Sequence, residues 1–280
     1  MSIDWEAEFN PRCAVPEAAE YSAKSKIKSE QAHQKFSDIE QRRYGQEPLA
    51  NFNFRRSSRT NQPLFVFIHG GYWRARDKND FGYVFNALEP SNANVAVLNY
   101  DLCPQVTVRQ ITAQIQQAML WLHANAGELG FDPKRIFVAG HSAGAHLIAM
   151  MMAQEASVFS IPDGMISKAY LISGIYELSP VLNISVNEEI RLKPEDVYAL
   201  SPIHLPPSNK TPYEIIVGEA EPPSWVAQSV DFSSYLDQQG AKSSLTILPG
   251  RHHYSILQDM EEPGGVLAAR FINDLTSAPS

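Results

Sequence analysis

An α/β architecture, with a mostly parallel central sheet and helices on both faces, is what this 280-residue sequence predicts. From Phe52 onward short apolar runs alternate with longer amphipathic ones, the pattern of buried parallel strands joined by crossover helices. One crossover can be checked residue by residue. Val108, Ile111, Ile115, Ala118, Met119 and Leu122 recur every three or four positions and line one helical face.

The expected strands are LFVFIH, NVAVLNY, RIFVAG, KAYLISG, YEIIVG and SLTILPG, in that order. Ahead of them, residues 1–48 are polar and Ala-rich, and PEAAEYSAKSKIKSEQAHQKF reads as one helix after Pro16 that lies over the domain. The Pro-, Asn- and Glu-rich stretch 175–210 is too long for a plain strand connection and is expected to wall the space above the sheet. With no repeat, low-complexity tract or linker, residues 1–280 read as one domain.

Bulk properties narrow the partners. An apolar content of 44% supplies a normal core, and 23 basic against 31 acidic residues give a net charge of −8, which disfavours nucleic acid and anionic membrane. A small molecule is the expected partner. The two cysteines, Cys13 and Cys103, have neither disulfide-framework nor metal-site spacing, so a reducing cytoplasm is the expected compartment. MSIDWEAEFNPR lacks the basic start and apolar stretch of a signal peptide, and no window reaches transmembrane length.

The chemistry enters with RIFVAGHSAGAHLIAMMMA, a buried strand, a tight turn carrying G-H-S-A-G, and an apolar helix. This is the context of a nucleophile elbow, with Ser142 at the sharp strand-to-helix turn. Gly140 and Gly144 are required there because side chains would strike the neighbouring strand and helix. The helix start also presents unpaired N–H groups and the positive end of the helix dipole where an oxyanion would form. A G-x-S-x-G string arises by chance in about one such chain in ten, so its flanking strand and helix carry most of the weight.

HGGYW, which follows the first expected strand, sits where this architecture places the other half of an oxyanion hole. Gly70 and Gly71 let the backbone approach a reacting carbonyl, so the N–H groups of Gly71 and Tyr72 join that of Ala143 as candidate donors. His69 is expected to organise the loop through its ring. A serine needs a base and a carboxylate, in the chain order Ser, acid, His. Downstream of Ser142, EAEPPSW offers Glu219 and Glu221, and RHHYSIL offers His252 and His253. Glu221 is favoured because Pro222 and Pro223 stiffen its loop. His204 lies in the insertion, His141 is expected to point away from the serine, His146 to be structural, and His33 and His123 to face solvent.

The chain resembles the kynurenine formamidase (arylformamidase) branch of the α/β-hydrolases, near the esterases and lipases. The resemblance rests on EFNPR, HGGYWRARDKNDF, LNYDLCP, GHSAGAHL, LISGIYEL, LSPIHL, VGEAEPPSWVAQS and GRHHYSIL. The family's pattern puts the acid two residues after a Gly-x pair and the base directly before an aromatic residue, which implies Glu221 and His253 in this chain. Animal members carry Asp at the acid position. The resemblance implies a serine hydrolase that converts N-formyl-L-kynurenine to L-kynurenine and formate through a formyl-enzyme on Ser142. It implies no metal or organic cofactor, and a small-molecule substrate with an aromatic leaving group. Trp73, Tyr176, Trp225 and Tyr254 are candidates for an aromatic substrate wall. The same machinery would serve a carboxylesterase on small acyl esters, and a non-catalytic binding protein of this fold is the reading from another class. A homodimer is left open.

Overall fold

Alternate side chains along the first expected strand bury on opposite sides of the sheet, and this alternation gives the fold its two cores. The computed structural model of the chain describes residues 3–153, 161–162, 164–208 and 211–277. The N-terminal segment forms helices α1 (Trp5–Phe9), α2 (Pro11–Ala14) and α3 (Ala18–Lys35). Strands β1 (Glu40–Arg43), β2 (Asn51–Arg55) and β3 (Gln62–Ile68) follow, then α4 (Tyr83–Ala87), β4 (Asn94–Leu98), α5 (Val108–Ala124) and α6 (Ala126–Leu129). The second half runs β5 (Phe131–His141), α7 (Ala143–Met152), β6 (Ile166–Ile172), α8 (Asn187–Ile190), β7 (Tyr213–Gly218), α9 (Pro223–Gln238), β8 (Ser243–Leu248) and α10 (Val266–Thr276).

These strands make one eight-stranded sheet in the order β1-β2-β4-β3-β5-β6-β7-β8. The six strands read from the sequence are β3 to β8, and every neighbouring pair among them is parallel. The sequence reading omitted β1 and β2, which join antiparallel at one edge. Residues 1–48 are therefore not purely helical, because β1 lies within them.

Leu64, Val66 and Ile68 pack with the apolar stripe of α5, with α7, and with Trp225 and Phe232 of α9. Phe65 and Phe67 face the other way, toward α3, α4 and α10 through Phe36, Phe85 and Phe271. The predicted stripe of α5 is buried throughout, and the helix opens on a capping box between Thr107 and Gln110. Each large apolar side chain so buried contributes about 1.5–3 kcal/mol. In α3, by contrast, Ala18, Ser29 and Ala32 are the buried positions, a narrow face held by polar bonds such as Ser29 Oγ–H to the Asp80 carbonyl at 2.7 Å. Among the described residues no helix is long and apolar enough to cross a membrane.

Candidate active site

The turn after β5 forces an unusual backbone on Ser142, with φ 56° and ψ −118°. Such a conformation costs a non-glycine residue about 1–3 kcal/mol and persists where its surroundings hold it. Here they do. A Cβ on Gly140 would lie 2.5 Å from the carbonyl carbon of Gly144, and one on Gly144 would strike the Ile68 carbonyl of β3. The Ser142 N–H donates to the Ile172 carbonyl of β6 at 2.8 Å, and the Ser142 carbonyl accepts from the His146 N–H at 3.1 Å. The serine thus stands at the N-terminus of α7, where the Ala143 N–H has no carbonyl within the helix to bond.

The loop after β3 is bent by three successive residues with positive φ: Gly71 at 116°, Tyr72 at 52° and Trp73 at 57°. Bulky residues rarely enter this region, so the run marks a constrained loop. It curls so that the Arg74 and Ala75 N–H groups donate to the Gly71 carbonyl at 3.2 and 3.1 Å. Among the described residues the N–H groups of Gly71 and Tyr72 donate to no backbone carbonyl. Gly70 brings this loop against the serine turn, since a Cβ there would be 2.8 Å from the His141 carbonyl oxygen and 3.0 Å from Ser142 Cβ. The buried His69 ring stacks on Tyr100 at 4.3 Å and contacts the Gly70 carbonyl and Asn99 at 2.8 and 3.1 Å. Burial lowers its pKa.

The two glutamates after β7 separate clearly. Glu219 is exposed and accepts from the Gly250 N–H at 3.0 Å. Glu221 is buried, with Oε2 2.8 Å from His253 Nδ1. Its Oε1 accepts from Ser173 Oγ–H at 2.5 Å and from the Gly218 N–H at 2.9 Å. Ser173, at the end of β6, has φ 49°, and its carbonyl accepts from the Trp225 indole N–H at 3.0 Å. The sequence reading missed Ser173; its signal was a serine just past the C-terminal end of a buried parallel strand.

The histidine pair also separates. His253 is buried, with its ring 4.9 Å from Trp225, whereas His252 packs on Tyr21 and its Nδ1 accepts from the Tyr254 and Ser255 N–H groups at 3.3 Å. His141 does not point away from the site. Its Nε2 lies 2.9 Å from the His253 carbonyl and its ring 4.6 Å from that of His253. Burial, and then the neighbouring His253, push its pKa well down, so it stays neutral. His146 is buried with Nε2 2.8 Å from the Leu200 carbonyl, and burial lowers its pKa to about 4. His33 is half-buried against Phe85 and does not face solvent freely.

Ser142, His253, Gly71 and Tyr72 line one cleft. The N-terminal segment lines it through Asn10, Pro11, Arg12 and residues of α3, and Val186 comes from the 175–210 insertion. Of the four aromatic candidates, Tyr254 lines the cleft. Trp73, Tyr176 and Trp225 are buried in the core, against His146 at 4.8 Å, Phe232 at 4.2 Å and His253 respectively. The aromatic residues facing the cleft are instead Tyr21, Tyr72, Phe81, Tyr83 and Tyr254. Among the described residues, no group of three or more His, Cys, Asp or Glu side chains is placed to hold a metal ion.

Relatives place this geometry in context. The BD-FAE family profile matches residues 52–166. A kynurenine formamidase of Drosophila melanogaster is 30% identical over 230 residues, covering 79% of this chain and 76% of that protein. The chain belongs to the kynurenine formamidase family. A candidate thioesterase from Silicibacter sp. tm1040 superposes with a TM-score of 0.82 at 28% identity, over 96% of this chain and 98% of that one. An esterase of Pyrobaculum calidifontis shares the fold, with a TM-score of 0.77 at 20% identity over 92% and 91% of the two chains. This kynurenine formamidase relative is thus a hydrolase of the α/β-hydrolase fold, of the kind that acts on formamides or esters.

Proposed function

We propose that this chain hydrolyses the formamide of N-formyl arylamines, with N-formyl-L-kynurenine as its substrate and L-kynurenine and formate as products. The observation that carries the reading is the buried Glu221–His253 pair, 2.8 Å apart, in the cleft that Ser142 also lines. Kinship with the kynurenine formamidase of the fly supports the formamide over other acyl groups.

In this mechanism Ser142 Oγ attacks the formyl carbon while His253 Nε2 takes its proton. Glu221 accepts the Nδ1–H, which fixes the tautomer and stabilises the imidazolium that forms. The N–H groups of Gly71, Tyr72 and Ala143 receive the oxyanion, each donor contributing about 2.7–4 kcal/mol to the transition state. As the tetrahedral species collapses, His253 gives its proton to the aniline nitrogen and the arylamine leaves. Water then attacks the formyl ester on Ser142, with His253 again as base, and formate departs.

The test is kcat/KM on N-formyl-L-kynurenine beside a short-chain p-nitrophenyl ester, with Ser142→Ala as the blank. A formamide value at or above about 10⁴ M⁻¹s⁻¹ is expected, within the range of enzymes on their own substrates. Strong ester turnover with negligible formamide turnover would reject the formamide and leave an esterase. Failure of a fluorophosphonate to label Ser142 would reject the serine mechanism itself.

A further inference from the structure

The charge of the cleft runs opposite to that of the chain. The sequence carries a net charge of −8, yet the cleft is lined by Arg12, Arg74 and Arg76 against a single acid, Asp80. Arg74 is already matched, its Nη1 2.5 Å from Glu189. Arg76 comes no closer than 3.9 Å to Asp80, beyond hydrogen-bond distance, and its Nη2 donates to Ser22 Oγ. Arg12 makes no ion pair with a carboxylate among the described residues, and it lines the cleft together with Tyr254.

Arg12, Arg76 and Tyr254 line the same cleft. Burial raises the pKa of Tyr254, and the positive charge of the two guanidiniums opposes that rise. A second hollow, open to solvent, shares Arg12, Ser22, Arg76, Asp80 and Tyr254 with the cleft, which puts these residues where the cleft meets the surface. Arg76 is held there by a backbone φ of 80°, unusual for a residue with a side chain. Two guanidiniums against one carboxylate leave one formal positive charge, the complement of one further carboxylate group, and guanidinium donors match a carboxylate geometrically.

We infer that Arg12 and Arg76, together with the Tyr254 hydroxyl, bind a carboxylate on the leaving group of the substrate, so that the enzyme selects substrates that carry it over those with the same scissile bond that lack it. This rests on the proposed chemistry at Ser142 and assigns the part of the substrate that chemistry does not touch. Because the carboxylate does not react, its contacts are equal in the ground and transition states, and their loss raises KM more than it lowers kcat.

The test uses matched pairs. N-Formyl-L-kynurenine is compared with ortho-formamidoacetophenone, and ortho-acetoxybenzoylpropionate with ortho-acetoxyacetophenone, on wild type, Arg12→Met, Arg76→Met and Arg76→Lys. Wild type is expected to favour the carboxylate member of each pair by about 10- to 100-fold in kcat/KM, the range of hydrogen bonds to charged groups. Each Met variant is expected to cut that preference at least about tenfold through KM, with partial rescue by Lys at position 76. Absence of a wild-type preference, or equal losses on both members of a pair, would overturn the inference. Should the formamides resist cleavage while the anionic ester is still preferred, the formamidase reading falls and the carboxylate site stands. Equal turnover of both formamides does the reverse. Calorimetric affinity for L-kynurenine against ortho-aminoacetophenone reads the same preference without turnover, and equal affinities would also overturn it.

Discussion

Replacing Glu221 by Gln changes one atom and tests the proposed base. Oε1 of Glu221 already accepts from Ser173 Oγ–H and the Gly218 N–H, while Oε2 faces His253 Nδ1. A glutamine carbonyl at the Oε1 position keeps both donors satisfied. The opposite orientation would set an amide N–H against the buried Gly218 N–H and cost about 1–3 kcal/mol. The first orientation therefore prevails and presents an NH₂ group to Nδ1. His253 then carries its proton on Nε2, the nitrogen required to accept the proton of Ser142. In Ser-His-Asp enzymes such a tautomer error costs about 10,000-fold in kcat, or about 5.4 kcal/mol of barrier. Steady-state kinetics with a p-nitrophenyl ester and with N-formyl-L-kynurenine measure it, and Tm verifies the fold. Glu219→Gln, at an exposed position, is the control and should change the rate by less than about threefold. Retention of more than about a tenth of wild-type activity by Glu221→Gln, or a larger loss at Glu219, would refute the assignment.

Two further substitutions probe how the site is held. Ser142→Gly removes the side chain that strains φ 56°, so this inactive variant should be more stable than Ser142→Ala by about 1 kcal/mol after the added freedom of the unfolded chain is counted; a less stable glycine variant in urea unfolding would refute the strain. Burial lowers the folded-state pKa of His146 to about 4, so as pH falls below the unfolded value of about 6.5 the unfolded chain takes up the proton first and stability is lost. Between pH 7 and pH 5 this one group removes about 2 kcal/mol, and His146→Gln, which keeps an N–H for the Leu200 carbonyl, should flatten that slope. An identical slope in the variant would show that His146 does not titrate across this window.

Features that depend on near neighbours in the chain were legible in the sequence. The six parallel strands are apolar runs, α5 shows its buried face at helical spacing, and Gly140 and Gly144 mark the Ser142 turn because sterics allow nothing larger. The edge strands were not legible. β1 is the polar segment EQRR, largely exposed, and becomes a strand only by pairing with β2. The same division runs through the site. Residue order brought Ser142, the Glu219/Glu221 loop and the His252/His253 pair to attention, but the contact of Glu221 with His253 depends on Ser173, 48 residues earlier in the chain. The aromatic wall was misread because size and apolarity say nothing of direction: Trp73, Tyr176 and Trp225 fill the core, while Tyr21 reaches the cleft from the N-terminal segment. Arg12 and Arg76 lie in EFNPR and HGGYWRARDKNDF, but nothing in either stretch says that the two meet at one cleft. Backbone sterics and periodic burial act over a few residues and are written into the sequence. The convergence of side chains from β3, β5, β6, β7 and the N-terminal segment follows from sheet order and packing, and only the folded chain decides it.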